Sequence, residues 1–294
     1  MVKIHFQDSS WVKRPFNDRD MNKKTNPPYI LGHTENELKR LSVQAQYWGE
    51  ISLEVLQKAE ITSGMRVLDI GCGAGDLSFL AANLVGSSGS VLGVDRSHQA
   101  VKRASNRAKE LKIKNIDFLV SDIEKIDPSL KFDAVIGRFV LMFQADPTTI
   151  LRSLVKRIES GGVLAFIEVD MSVVRSVPVV AKVEKVLGWA TETFKRAGIP
   201  LDLGPQLWYM FKDIGIKEPN LVVCQRLDPG TSKEGTDWLA ELVKSLLPMM
   251  EKFGVVTAEE VGVETLAEEL HRALLEGRGA LFPSCLIGTY SRIA

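Results

Sequence analysis

At 294 residues the chain is long enough for one large domain or two small ones, with ample material for a buried core. Apolar residues at 45% and charged residues at 25% argue against disorder, and 37 Lys+Arg against 37 Asp+Glu leave no overall basic field to gather phosphates. No apolar run reaches the ~18 residues of a membrane span and MVKIHFQDSSWVKRPF lacks an apolar leader segment, so a cytoplasmic protein without a membrane span is expected.

In chain order, residues 1–30 are polar and broken by Pro15, Pro27 and Pro28, which predicts an arm rather than core. From Glu35, Leu38, Leu41, Val43 and Ala45, then Ile51, Leu53, Val55 and Leu56, recur at three- and four-residue steps and predict two short helices. Arm and helices read together as an N-terminal lid over 1–60, ahead of a main domain at 61–294. Strand-like runs then alternate with helices: RVLDIG (66–71), SVLGVD (90–95), IDFLVSD (116–122), FDAVIGR (132–138) and GVLAFIEVD (162–170), with helices starting near Asp76, Ser97 and Pro147. Such alternation implies right-handed βαβ units and a parallel sheet, and β-branched apolar strands fit burial on both faces. The expected class is therefore α/β, a Rossmann-like sheet with helices on both faces. Beyond Asp170, helices are expected near 177–197 and 206–214, strands at LVVCQRL (221–227) and LFPSCLIGTYSRI (281–293), and helices at roughly 234–252 and 257–276. Segments 171–215 and 228–280 read as helical insertions on the substrate side. Cys72, Cys224 and Cys285 lack metal-ligand spacing and are expected to be reduced thiols, with no metal.

The segment VLDIGCGAGDLSFLAA (67–82) carries the chemistry. Gly71, Gly73 and Gly75, with Cys72 among them, follow a strand and precede a helix, so the backbone can turn tightly and approach a ligand at a helix N-terminus. The spacing G-x-G-x-G followed by Asp76 departs from the dinucleotide fingerprint. Asp76 beside the loop and Asp69 before it disfavour a diphosphate and suit an ammonium or sulfonium ligand. Asp95, with Arg96 next to it, ends the second strand, where a carboxylate can accept from both hydroxyls of a ribose. Asp122 can accept from an adenine amino group, and the Ile123 N–H can donate to the ring. All these positions fall at the carboxyl ends of neighbouring strands, the ligand edge of an open α/β sheet. The implied ligand is S-adenosylmethionine, with S-adenosylhomocysteine as its product.

On these residues the chain resembles the class I S-adenosylmethionine-dependent methyltransferases. VLDIGCGAGD is similar to their first motif, GVD ending in Asp95 to the second and SDIEKID to the third; GRFVLMFQADP (137–147) and ESGGVLAFIEVD (159–170) resemble the small-molecule branch typified by the ubiquinone/menaquinone-biosynthesis methyltransferases. The resemblance implies a seven-stranded, mostly parallel sheet with the last strand antiparallel. It also implies methyl transfer to an oxygen, nitrogen or carbon of a small organic acceptor. The segment 228–280 departs from the family's minimal form, in which the last two strands make a hairpin.

Other residues carry plainer readings beside the functional ones. Asp69 either orients loop amides or meets the cofactor's ammonium. Arg138 either forms a surface ion pair or gives its carbonyl to the cofactor amine and its side chain to an anionic group. Glu168 and Asp170, after the fifth strand, are candidate groups to orient or deprotonate an acceptor, though strand-end carboxylates are common. His33 in the lid is a further catalytic candidate, and His271 a weaker one; a lone His is more often a packing residue. Trp48, Trp189, Trp208, Tyr209 and Phe211 line a pocket or fill the core. The basic run VKRASNRAKELKIK (101–114) reads as a solvated helix face. Asn26-Pro27-Pro28-Tyr29 matches the tetrapeptide of enzymes that methylate base amines, but FDAVIGR runs into Arg138-Phe139-Val140 where that tetrapeptide belongs. It reads as a Pro-rich turn, with Tyr29 closing over the cofactor. The neutral balance and misplaced tetrapeptide disfavour a nucleic-acid or protein methyltransferase; a cofactor-binding protein without methyl transfer is the other rival. Monomer and homodimer both stay open.

Overall fold

The computed structural model describes Ile30, Leu31 and residues 35–294; Tyr29, His33 and the tetrapeptide at 26–29 lie outside the described residues. The chain enters through α1 (Glu35–Lys58) and then alternates: β1 (Arg66–Ile70), α2 (Asp76–Val85), β2 (Ser90–Asp95), α3 (His98–Glu110), β3 (Ile116–Val120), β4 (Phe132–Arg138), α4 (Pro147–Val155) and β5 (Ile158–Asp170). β6 (Arg175–Val177), α5 (Ala181–Arg196), α6 (Leu203–Asp213) and β7 (Asn220–Cys224) follow. β8 (Asp228–Pro229), α7 (Glu234–Lys252), α8 (Ala258–Val261), α9 (Leu266–Glu276), β9 (Ala280–Phe282) and β10 (Cys285–Arg292) close the described chain.

Seven strands form one sheet in the order β3-β2-β1-β4-β5-β10-β7, with β10 antiparallel to both its neighbours. The expected antiparallel last strand is thus present. Helix starts follow local chemistry: the Ser97 hydroxyl accepts from the Ala100 N–H at 3.3 Å, and Asp146 accepts from the Thr149 N–H at 3.0 Å with Pro147 in the first turn. The central strands carry the core, where Leu68, Ile70, Ile136 and Phe166 are among the largest fully buried side chains.

Several boundaries differ from the sequence expectation. The two short helices expected after Glu35 are one 24-residue helix. Gly49 sits inside it at a cost of about 1 kcal/mol relative to Ala, and burial of Tyr47, Trp48, Val55 and Leu56 on α7, α2 and the sheet outweighs that. Gly288 of β10 admits this helix: a Cβ there would lie 2.5 Å from Val55 Cγ1. The fifth strand begins four residues earlier than expected and runs Ile158–Asp170, with Glu168 and Asp170 in the last rungs of its ladder rather than beyond it. The last strand splits at Pro283-Ser284, because proline has no N–H for the ladder. Its first half, β9, joins β6 and β8 in a separate three-stranded sheet that the sequence did not announce. The helix expected at 257–276 breaks into α8 and α9 at Gly262, which adopts φ +62°. Helix α6, expected on the substrate side, packs through Leu203, Leu207 and Phe211 onto β5 and β10, an ordinary covering helix of the sheet. Among the described residues no helix is long and apolar enough to cross a membrane.

Candidate active site

A cavity of about 620 Å³ opens at the carboxyl ends of β1, β2, β3 and β4. Its first wall is the glycine loop between β1 and α2. Gly71, Gly73 and Gly75 take φ values of +67°, +54° and +88°, the left-handed region that disfavours other residues. A Cβ on Gly71 would lie 2.5 Å from Val140 Cγ2, whereas a Cβ on Gly73 would meet nothing within 4 Å. Gly71 therefore serves close packing on the turn after β4, and Gly73 faces open space.

Asp95 ties this wall together. One oxygen accepts from the Gly73 N–H at 2.9 Å and the other from the Ser97 N–H at 2.7 Å. Each carboxylate oxygen keeps a second lone pair, so a diol can still be received. Asp69 is only 1% exposed and accepts from the Ser78 hydroxyl of α2, and burial pushes its carboxyl up to about 7. It lines the cavity while fastening β1 to α2.

Asp76 has a structural partner as well. Its carboxylate pairs with Arg107 at 2.6 Å, and that guanidinium also donates to the Ala74 carbonyl and lies 4.8 Å from the Phe79 ring centroid. The Asp76 carboxylate thus clamps α2 to α3 while it also lines the cavity. Asp122 and Ile123 line the cavity at the end of β3, Asp122 exposed and paired with Lys125 at 2.7 Å. Arg96 is exposed at the rim; Cys72 lines the floor, its thiol pushed up by burial and so a poor nucleophile.

The second wall is apolar. Met142 and Phe143 from the turn after β4, Val169 and Met171 from the end of β5, Phe194 of α5 and Trp238 of α7 surround it. Arg40, Gln44 and Trp48 of α1 complete it at four-residue spacing, one face of the helix. Arg138 spans the two walls, donating to Ser52 of α1 at 2.8 Å and lying in the field of Asp69 and Asp76. Its guanidinium is shifted downward by burial.

Glu168 and Asp170 are not placed as acceptor groups. Glu168 is 0% exposed and lies off the cavity; one oxygen accepts from the Val140 and Leu141 N–H groups at 2.9 and 2.7 Å. Burial pushes it up to about 8, and its second oxygen has no hydrogen-bond partner among the described residues. It shapes the turn after β4, where Phe139 takes φ +56°. Asp170 accepts from the Ser172 N–H at 2.8 Å and stabilises the bend that follows β5. Neither is among the cavity residues. Of the five aromatics singled out, Trp48 alone lines the cavity; Trp208 donates to the Pro219 carbonyl, Phe211 is core, Tyr209 is exposed and Trp189 sits beside Lys185. Arg40, Gln44 and Trp238 escaped the sequence reading. The one signal was the i, i+4, i+8 step of Arg40, Gln44 and Trp48 in a helix with buried neighbours.

A family model described as a methyltransferase domain matches residues 61–212, over half of the chain. The chain belongs to this methyltransferase domain family. Aklanonic acid methyltransferase of Streptomyces sp. (strain C5) is 32% identical over 161 residues, covering 54% of this chain and 67% of that protein. The 2-phytyl-1,4-naphtoquinone methyltransferase of Synechococcus elongatus is 38% identical over 111 residues, 36% of this chain and 46% of its own. With relatives of the second kind, the shared part is about half of their length. The crystal structure of YcgJ from Bacillus subtilis aligns with a TM-score of 0.54 at 16% identity, covering 83% of this chain and all of that one, a likeness of fold. The matched methyltransferase segment supplies the glycine-loop wall; α1 and α7, which close the other wall, lie outside it.

Proposed function

We propose that the cavity binds S-adenosylmethionine and that the protein transfers its methyl group to a small organic acceptor. The observation that carries this is Asp95: a carboxylate at the end of β2 bonded to Gly73 of the loop and Ser97 of α3, with lone pairs left for a vicinal diol. Gly73, open on its Cβ side, is the place where a ligand can approach the backbone. The residues fit such a cofactor: Asp95 for the ribose, Asp122 with the Ile123 N–H for the adenine, and Gly71, Gly73, the Arg138 carbonyl and Asp69 around the methionyl part. Arg96 at the rim, Cys72 and Gly75 complete the loop's frame.

When bound, the sulfonium supplies an electrophilic methyl group. The protein aligns the acceptor atom with that methyl and keeps water away, which the Met142, Phe143, Phe194 and Trp238 side chains suit. Among the described residues no imidazole lines the cavity, the Asp146 carboxylate beside the apolar wall caps α4, and Glu168 and Asp170 are engaged elsewhere. Acceptors that are already nucleophilic at neutral pH therefore fit best. Relatives named for aklanonic acid and a phytyl naphthoquinone agree with a small acceptor in an apolar compartment. In this reading α1 and α7 are the substrate-side elements of the N-terminal unit and of the 228–280 segment.

Titration calorimetry with S-adenosylhomocysteine tests the cofactor assignment. Wild type should bind, and Asp95→Ala should weaken binding about tenfold or more, as loss of a charged acceptor worth ~1.5–3 kcal/mol implies. Equal affinity in wild type and variant removes Asp95 from the site, and with it the basis of this reading.

A further inference from the structure

We propose that Ser284 marks the far end of the acceptor pocket and bonds an uncharged oxygen function, a hydroxyl or carbonyl, on an elongated apolar acceptor; this rests on the reading of the cavity as a methyl-transfer site. Ser284 lies between β9 and β10, where Pro283 interrupts the ladder, and it lines the cavity while only 4% exposed. Because β10 runs antiparallel to β5, its first residues stand at the carboxyl end of β5, on the ligand edge of the sheet. Leu286 pairs with Val169 and Cys285 with Asp170. One step further in this register sets Ser284 opposite Met171. Side chains alternate along a strand and opposed residues share a face, so Ser284 stands on the face of Val169 and Met171. Those two line the cavity, whereas Asp170 and Cys285, on the other face, do not. Register and lining thus agree that the Ser284 hydroxyl looks into the cavity.

A serine after a proline has a structural use ready to hand, a hydroxyl that bonds the nearby backbone of a turn. Ser284 does not take it. The Pro283 carbonyl accepts from the Gln225 side chain at 2.7 Å, and the Ser284 hydroxyl has no hydrogen-bond partner among the described residues. A nearly buried hydroxyl of this kind can be satisfied from the cavity side alone. Its surroundings set the charge of the ligand. Val169 and Met171 beside it are apolar, and Phe194, Trp238 and Leu242 continue the wall, so an ionised group lodged here would lose its water against a hydroxyl, at far greater cost than a neutral oxygen. The sheet sets the length. β4, β5 and β10 are consecutive neighbours, which puts the ends of β4 and β10 about 10 Å apart at two strand spacings. With the methionyl part at the Arg138 carbonyl that ends β4, a fused bicyclic or tricyclic body reaches from the methyl group to Ser284.

The probes are 2-naphthol, uncharged at pH 7, and 2-naphthoate, each titrated calorimetrically into the protein with and without saturating S-adenosylhomocysteine. Wild type should bind the naphthol at least about tenfold more tightly than the naphthoate. In Ser284→Ala the naphthol should weaken about threefold to tenfold, the range of one neutral hydrogen bond, while affinity for S-adenosylhomocysteine holds. Ser284→Thr, which keeps a hydroxyl, should retain the preference that its isostere Ser284→Val loses. Naphthoate bound as tightly as naphthol by wild type, or no binding of naphthol up to about 1 mM, overturns the proposal without recourse to any variant. So does naphthol binding that saturating S-adenosylhomocysteine abolishes, because the probe then sits in the cofactor half. Unchanged naphthol affinity in Ser284→Ala overturns it too, as does an equal loss of S-adenosylhomocysteine in that variant. Failure of wild type to bind S-adenosylhomocysteine, with Ser284-dependent naphthol binding intact, sinks the methyl-transfer reading and leaves the Ser284 site standing.

Discussion

Glu168 shows how one buried carboxyl can be structural and still leave a measurable trace. Its folded value of about 8 stands above its ordinary 4.5 because burial disfavours the charged form. A raised carboxyl binds its proton more tightly in the folded state, so its contribution is full at acid pH and is lost as pH rises through about 8. Asp69, pushed up to about 7 by burial, acts with the same sign in a lower window. Glu168→Gln keeps an oxygen for the Val140 and Leu141 amides and removes the charge. Chemical denaturation should find the two proteins alike near pH 4, with the variant gaining up to about 1.4 kcal/mol over wild type per pH unit toward pH 8. A constant difference across that range would show that Glu168 does not change protonation on folding. The loop glycines separate protein packing from ligand approach in the same way. Gly71→Ala drives a methyl into Val140 and should lower stability by about 1–3 kcal/mol. Gly73→Ala meets no neighbour and should cost less stability than Gly71→Ala, about 1–2 kcal/mol in backbone strain, while S-adenosylhomocysteine affinity falls further than in Gly71→Ala. Calorimetry beside urea denaturation reads both, and equal profiles for the two variants would contradict the division. The glycine loop was legible in the sequence because its function is local: the tight turn needs glycines at fixed short spacing. The Asp76–Arg107 pair was not, since its partners are 31 positions apart and only the fold joins them.

At the scale of elements, α1 is held to the 228–280 segment by a compact latch. The Tyr47 hydroxyl donates to buried Asp228, the Tyr47 ring stacks on Trp238 with centroids 5.1 Å apart, and Arg226 lies 4.2 Å over the same ring while bonding Asp228 and Glu234. Burial and the neighbouring Asp228 raise the Tyr47 phenol, so it stays a donor at any working pH. Tyr47→Phe removes one buried bond to a charged acceptor and should cost about 1–3 kcal/mol. Hydrogen exchange should place the loss in α1 and α7, with β1–β5 amides unchanged; uniform acceleration would mean that the latch is part of the core and not a separable roof. The strands β1 to β5 were visible in the sequence as apolar, β-branched runs between turn signals. The two-residue strand β8 and the small sheet around it were not, because so short a strand leaves no periodicity. The single α1 was obscured by Gly49, whose helix-breaking tendency tertiary packing overrides.

For the whole molecule, the sheet edge gathers two half-sites with different origins. On the proposed reading the cofactor half comes from the ends of β1, β2 and β3, and these were legible as motifs. The acceptor half is assembled from Arg40 and Trp48 of α1, the turn after β4, Phe194 of α5 and Trp238 of α7, and no local pattern joins residues so far apart in the chain. The matched family segment, 61–212, includes the glycine loop, the turn after β4, the end of β5 and Phe194, whereas Arg40 and Trp48 of α1 and Trp238 of α7 lie outside it; on the proposed reading these added helices are the part that faces the acceptor. The central claim is methyl transfer to a small molecule, and the most direct measurement supplies methyl-tritiated S-adenosylmethionine with a metabolite extract and follows the label. The account predicts label in low-molecular-mass product, dependent on the protein and lost with Asp95→Ala. Label in protein or nucleic acid, or a bound cofactor whose methyl never leaves it, would contradict that claim.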